Sequence, residues 1–379
     1  MMGWSSWNHF QTHITDAIVR AEANAMVDSG LRDAGYVYVM IDDGWQGERD
    51  AEGELHPNSN FPDMAELGRY LHARGLKFGL YSSPGARTCA GFPGSLNHEE
   101  QDAQTFAAWG VDILKYDMCS YADVLKDQGR GDLLLEQKLL MAAFSKMHRA
   151  LLATGHPIGL TLSNHGLLNI SQWAPAAGAI SWRTTEDVQD NYSRMSSIGF
   201  SQAGLARYAG PGHAIDPDML EVGNGGMTTS EYRTQMSLWA ILAAPLIAGN
   251  DLRTMDRATR ELLTNPEVLA IDQDSLSRGG DRLWTRGQLE IWRRPLADGS
   301  SVLAVFNRAT AYRGLTATML HIPWGDLGLK RPNRLIDVWS GKETLGSPHL
   351  TLQITAHDVV LLRLYPTRYA LAKRPSRLH

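Results

Sequence analysis

Two kinds of apolar pattern take turns along the chain from residue 1 to about residue 275. The segment from Thr15 to Ala34 places Val19, Ala23, Met26, Val27 and Leu31 at helical spacing behind a Thr15 cap, with Asp16 in the first turn. A short β-rich run follows, Tyr36 to Ile41, and ends in Asp42-Asp43-Gly44-Trp45. The alternation repeats: a helix near Met64 to Arg74, the run Lys77 to Tyr81 opening into Ser82-Ser-Pro-Gly85, then a helix over Glu99 to Trp109. The run Val111 to Tyr116 leads into Asp117, a helix spans Leu133 to Leu152, and Ile158 to Leu162 opens into Ser163-Asn164-His165-Gly166. A further strand covers Gly178 to Ser181, and Met236 to Leu246 reads as an amphipathic or buried helix whose Met and Trp residues belong to a core.

Repeated β-then-α units with near-continuous apolar strands describe a parallel sheet covered by helices, an α/β fold. Polar residues follow several different strands, which is how a (β/α)8 TIM barrel gathers its active site at one face. An open doubly wound sheet is the alternative, but Gly3-Trp-Ser-Ser-Trp7 does not fit its glycine-rich phosphate turn. After about residue 275 the texture changes to short strands (Leu283-Trp-Thr, Leu289 to Arg293, Ser301 to Phe306, Val359 to Leu364) parted by turn signals such as Ala297-Asp-Gly299. Strands without intervening helices predict an antiparallel β-sandwich. The organisation expected is therefore a catalytic barrel over 1–275, a C-terminal sandwich over 276–366 and a basic, patternless, flexible tail over 367–379.

The chain has 379 residues, with 36 Lys plus Arg against 41 Asp plus Glu and a net charge of −5. A nearly balanced total argues against a nucleic-acid partner, and no apolar run approaches the ~18 residues of a membrane span. Eleven Trp against eight Phe leave two readings open, core filling or flat faces for sugar rings. The two cysteines, Cys89 and Cys119, cannot make a disulfide framework, although one bridge is possible.

Asp117 stands at the end of an apolar strand just after Lys115 and Tyr116. A cation nearby keeps such a carboxylate ionised, which makes it a nucleophile candidate; a helix cap or an ion pair with Lys115 is the plainer alternative. In Trp182-Arg183-Thr-Thr-Glu186-Asp187, three carboxylates, Glu186, Asp187 and Asp190, compete as general acid or as cap of the next helix. Two carboxylates from different strand ends suit glycoside hydrolysis, and the Asp42-Asp43 pair suits hydrogen bonding to sugar hydroxyls. No His-x-His, Cys-x-x-Cys or His-Glu-x-x-His motif points to a metal, so neither a metal nor another cofactor is expected. His9 and His13 read as capping or surface residues, and Gly223-Asn-Gly-Gly226 as a tight loop rather than a phosphate cradle.

The ordered motifs Met2-Gly-Trp-Ser-Ser-Trp-Asn8, Tyr38-Val-Met-Ile-Asp-Asp-Gly-Trp45, Gly79-Leu-Tyr-Ser-Ser-Pro-Gly85, Thr88-Cys-Ala-Gly-Phe-Pro-Gly-Ser95, Trp109-Gly-Val-Asp-Ile-Leu-Lys-Tyr-Asp-Met-Cys119, Trp182-Arg-Thr-Thr-Glu-Asp187 and Asp216-Pro-Asp-Met-Leu-Glu-Val-Gly-Asn-Gly-Gly-Met227 resemble glycoside hydrolase family 27. The resemblance implies a retaining α-galactosidase-type enzyme acting on a carbohydrate with a terminal α-galactosyl residue. It implies Asp117 as nucleophile and Asp187 as acid/base, the latter choice coming from the motif alone. It also implies that Asp42 and Asp43 hold the sugar O4 and O6, that Trp4 walls the sugar, that Tyr81, Cys89 and Lys115 line it, and that Arg183 donates to O2 and O3. Asp187 must then be protonated before attack, with its pKa above that of Asp117, raised by burial and by the charge of the nucleophile.

The same resemblance pairs Cys89 with Cys119 as a disulfide, which implies a secreted or periplasmic protein. The chain begins with no signal peptide, so a cytoplasmic site stays open, and its abrupt start suggests an absent leader. Two departures from the family pattern bear on specificity. Ser163-Asn164-His165-Gly166 replaces a Cys-Glu-Trp-Gly type of loop that meets the group at C2, making Asn164 a candidate contact. Ala214-Ile215 replaces a Trp-Asn pair, which either opens space for a different sugar or aglycone or is structural repacking. An α-N-acetylgalactosaminidase, a β-L-arabinopyranosidase, an isomalto-dextranase and a catalytically silent sugar-binding protein are the alternatives; the number of subunits is not indicated.

Overall fold

The computed structural model describes residues 1–310 and 317–366. Eight parallel strands form its first body: β1 (Met2–Ser5), β2 (Tyr38–Met40), β3 (Lys77–Ser82), β4 (Ile113–Asp117), β5 (Gly159–Ser163), β6 (Ser181–Arg183), β7 (Ala214–Asp216) and β8 (Leu246–Ala248). From β1 to β7 each pairs with the next in sequence, and β8 pairs with β1. The ring closes just past β7, where Leu220 N–H donates to Ile247 O (2.7 Å) and Gly249 N–H to Leu220 O (2.9 Å). This is the TIM barrel expected from the alternating pattern.

Helices α1 (Asp16–Asp28), α2 (Met64–His72), α3 (Glu99–Ala108), α4 (Leu133–Ala153), α5 (Tyr192–Phe200), α6 (Thr229–Leu242), α7 (Arg257–Leu263) and α8 (Pro266–Asp272) surround the strands. The cap at Thr15 is present, its side chain accepting from Ile18 N–H. Two boundaries differ from the sequence reading. Helix α1 ends at Asp28 rather than Ala34, because Gly30 takes a left-handed φ of 82° and starts a run of turns. The apolar stretch from Met236 to Leu246 is not one helix: α6 stops at Leu242, Ala243 is left-handed, and Pro245 leads into β8. A continuous buried run carries no periodicity that would separate a helix end from a central strand.

The second body is antiparallel. Strands β9 (Asp281–Arg286), β10 (Leu289–Pro295), β11 (Ser301–Asn307), β12 (Ala317–Pro323), β13 (Arg334–Asp337), β14 (Glu343–Leu345), β15 (His349–Thr355) and β16 (Val359–Tyr365) build a six-stranded sheet, in the order β9-β10-β11-β16-β13-β14, and a β12-β15 ribbon. The strand period of two sorts its side chains between two cores. Ile291, Leu303, Val305 and Leu362 face the ribbon, while Trp292, Val302, Ala304, Phe306 and Leu361 join the barrel core on the side of α6. The sheet is thus buried on both faces, and Arg233 of α6 pairs with Asp358 across the junction. Trp4, Trp45, Trp182, Trp239 and Trp292 are among the most deeply buried side chains, so the Trp-rich composition serves chiefly the core. The tail expected over 367–379 lies outside the described residues.

Candidate active site

Parallel strands in a closed barrel all end at one rim, so residues at their C-terminal ends converge whatever their sequence separation. Asp42 and Asp43 just past β2, Tyr81 in β3, Lys115 and Asp117 in β4, Asn164 just past β5 and Arg183 at the end of β6 occupy this rim. Trp4 lies fully buried beneath it, its indole N–H donating to Asn250 O at 2.8 Å, so it presents no face to a sugar and the expectation that it walls the sugar is not met.

Asp117 is buried, and Tyr81 OH donates to its Oδ2 at 3.1 Å. Its Oδ1 has no protein partner. Burial, together with the carboxylates of Asp117, Asp42 and Asp43, pushes the Tyr81 pKa well above its ordinary value, which keeps that hydroxyl a donor. Trp45 Nε1 and Gln46 Nε2 both donate to Tyr81 O and hold this part of β3 in place. Cys89 and Cys119 are disulfide-bonded, with Cα atoms 4.8 Å apart. The bridge lies against the carboxylate: Cys89 Sγ is 3.7 Å from Asp117 Oδ2, and Cys119 Sγ is 3.0 Å from Tyr81 OH.

Lys115 does not pair with Asp117, its neighbour in sequence. Its Nζ donates to Asp42 Oδ2 at 2.8 Å, linking β4 to the end of β2. Burial opposes the ammonium charge, but Asp42 and Asp117 outweigh it and raise its pKa above the ordinary value. Asp43 accepts from Ala90 N–H through Oδ2 (2.7 Å), and its Oδ1 is unpartnered. Burial pushes the Asp43 carboxyl up to about 6.

The three competing carboxylates now separate. Asp190 is a loop tie, accepting from Tyr232 OH (2.9 Å) and from Gly226 N–H. A Cβ on Gly226 would lie 2.0 Å from Asp190 O, which explains the glycine of this tight loop. Glu186 is two-thirds exposed, with His165 Nδ1 3.9 Å from its Oε2. Asp187, half-exposed, accepts from Arg183 Nη2 at 3.0 Å. Burial alone would raise its pKa, but Arg183 and, behind it, Lys115 hold the carboxyl below the usual carboxylate range. The expectation of a raised pKa is therefore reversed in the free protein, because the nearest charge is a guanidinium rather than the nucleophile.

Asp216 and Asp218, both within the Asp216 to Met227 motif, have no role expected from the sequence. Both are carboxylates at the end of β7 beside Arg183: Asp218 Oδ1 is 3.0 Å from Arg183 Nη1, and Asp216 is pushed up to about 6 by burial. The Asp-Pro-Asp spacing was the available signal. The two departures also find their places. Asn164 is buried, donates through Nδ2 to Leu167 O (2.8 Å) and leaves Oδ1 without a partner. Ala214 and Ile215 open strand β7 at the end away from the rim; Ile215 is buried and Ala214 lines a cavity with Ile180 and Pro245. That pair is a repacking at the base of the barrel and gives the sugar no room.

Residues 1–274 match the family described as alpha galactosidase A, and residues 286–364 match the alpha galactosidase C-terminal beta sandwich domain. An alpha-galactosidase of Cyamopsis tetragonoloba is 42% identical over 372 residues, covering 96% of this chain and 86% of its own length. One of Oryza sativa subsp. japonica is 40% identical over 371 residues, covering 96% and 84%. The crystal structure of alpha-galactosidase I from Mortierella vinacea superposes with a TM-score of 0.87 at 33% identity, covering 97% of this chain and 96% of that one. With motifs, barrel, sandwich and rim chemistry in agreement, the chain belongs to the alpha-galactosidase family of glycoside hydrolases, family 27.

Proposed function

We propose that this protein is a retaining α-galactosidase that releases terminal α-linked galactose from a carbohydrate substrate, with Asp117 as nucleophile and Asp187 as acid/base. The observation that carries this reading is Asp117 itself: a buried carboxylate at the barrel rim, with one oxygen oriented by Tyr81 and the other unpartnered. In the first step Asp117 Oδ1 bonds to the anomeric carbon, the glycosidic C–O bond breaks, and the proton of Asp187 passes to the departing oxygen. In the second, Asp187 takes a proton from water, the water oxygen bonds to the anomeric carbon, and the Asp117 ester bond breaks. Two inversions give net retention.

Asp42 and Asp43 offer acceptors for the O4 and O6 hydroxyls, and Lys115 holds the Asp42 carboxylate in place for that purpose. Tyr81 and the Cys89–Cys119 bridge line the sugar beside the nucleophile. Arg183 donates to O2 and O3. As its donors turn to those hydroxyls, its hold on Asp187 weakens and the leaving group shields that carboxyl from water. Both changes favour the protonated form, so the acid is charged with its proton as the substrate binds. In this reading residues 1–275 carry the catalysis and residues 276–366 brace α6. The disulfide points to an oxidising compartment, secreted or periplasmic; among the described residues no helix is long and apolar enough to cross a membrane.

The test is hydrolysis of p-nitrophenyl glycosides bearing α-galactose, α-N-acetylgalactosamine, β-L-arabinopyranose and α-glucose, by wild type and Asp117→Ala, with the anomer of the first product read by NMR. Release of α-galactose from the α-galactoside, absent in Asp117→Ala, supports the reading. Release of the β anomer, or full activity in the variant, overturns it.

A further inference from the structure

Asp218 is buried and holds a backbone conformation that L residues rarely adopt, with φ of 90°. Such strain persists only where the surroundings impose it, and it occurs where a side chain must be aimed. Here it falls between Asp216, the last residue of β7 paired with β6, and Leu220, which closes the barrel against β8. The kink is fixed from several sides. Trp239 Nε1 donates to Asp218 O (2.7 Å), and Asp218 N–H donates to Asp216 Oδ1 (2.8 Å).

The carboxylate then grips two points of the same neighbouring loop. Its Oδ1 receives Arg183 Nη1 at 3.0 Å, while its Oδ2 receives Val188 N–H at 2.9 Å. Val188 directly follows Asp187, and Arg183 is the side chain that touches Asp187. Arg183 Nη2 also donates to Thr185 O (3.1 Å), and Arg194 Nε donates to Asp187 O (2.8 Å). The half-exposed Asp187 carboxyl thus has no deep packing of its own. Its place is set through its backbone neighbour and its guanidinium partner, and a single buried carboxylate holds both.

We propose that Asp218 is the positioning residue of the acid/base, clamping Arg183 with one oxygen and the backbone beside Asp187 with the other. The proposal rests on the reading of Asp187 as acid/base given above. Asp218 exchanges no proton with substrate; it fixes where the proton of Asp187 is delivered. A displacement of about 1 Å at such a group costs on the order of 10²-fold in rate. The loss must then depend on the leaving group, because a strongly acidic phenol departs without a proton and an alcohol does not.

The test compares kcat/KM on methyl α-galactoside and on 2,4-dinitrophenyl α-galactoside for wild type, Asp187→Ala, Asp218→Asn and Asp218→Gly. Asn keeps an acceptor for Val188 N–H but loses the charge facing Arg183. Gly removes both grips and also relieves the strain, since it adopts φ of 90° freely, so it keeps the test alive if Asp218→Asn fails to fold. The expected result is that both Asp218 variants lose on both substrates, because Arg183 also meets the sugar, and lose about 10²-fold more on the methyl galactoside than on the dinitrophenyl one, following Asp187→Ala in direction. Equal losses on the two substrates, with Asp187→Ala still discriminating between them, overturn the clamp. If Asp187→Ala itself shows no leaving-group dependence, the acid/base assignment fails and takes the clamp with it.

Discussion

Lys115 Nζ lies 2.8 Å from Asp42 Oδ2, so the cation of strand β4 serves the carboxylate beyond β2 rather than Asp117, two residues along its own strand. Strand alternation explains why both can face the barrel interior from β4, and the parallel register of β2, β3 and β4 brings their ends together. Removing one partner of a buried pair leaves an uncompensated charge, which costs about 3–5 kcal/mol. Lys115→Met is expected to lower the urea midpoint accordingly, and Asp42→Asn in the same chain to restore much of it. A double variant no more stable than Lys115→Met would contradict the pairing.

The Arg183–Asp187 contact sets a sign for the pH dependence. In the free protein the Asp187 pKa is lowered, so its proton is lost already in acid; the proposed turn of Arg183 to the sugar would raise it in the complex. Because kcat/KM reports the free enzyme and kcat the complex, the alkaline limb of kcat/KM is expected at lower pH than that of kcat. Profiles on a galactoside with an alcohol leaving group check this, and coincident limbs would refute it.

Stability should also fall with rising pH. Burial pushes Glu22 up to about 8, Glu221 to about 7, and Asp43 and Asp216 to about 6. Each binds its proton more tightly folded than unfolded, so its contribution is fully present below the unfolded value and is lost as pH rises through the folded one. The melting temperature is expected to peak in mild acid and to decline between about pH 5 and pH 8. Thermal scans across that window provide the measurement.

The disulfide closes a loop across a sequence separation of 30. On chain-entropy grounds its loss costs about 3–4 kcal/mol, and the contacts of both sulfurs with Tyr81 and Asp117 would loosen with it. Cys89→Ser/Cys119→Ser is expected to unfold at lower denaturant and to lose kcat as well as stability. Unchanged kcat would mean that the bridge only holds the chain.

The alternation of helical and strand periods, the carboxylates after each apolar run and the change of texture near residue 275 were legible in the sequence, because burial of one face writes itself into local spacing. The ordered motifs supplied the family and, through it, Asp117, Asp187 and the Cys89–Cys119 pair. Other features depend on partners distant in the chain. Whether Met236 to Leu246 is one element or two depends on what covers it, and a run buried on every side has no period to read. Glu186, Asp187 and Asp190 are chemically alike until Arg183, Tyr232 and Gly226 come within reach and divide them. The low pKa of Asp187, the Lys115–Asp42 pair and the two grips of Asp218 are sums of through-space charge and hydrogen bonding between strand ends. Only closure of the barrel brings those ends together, so the sequence determined which groups would stand at the rim, and the tertiary structure decided which of them touch.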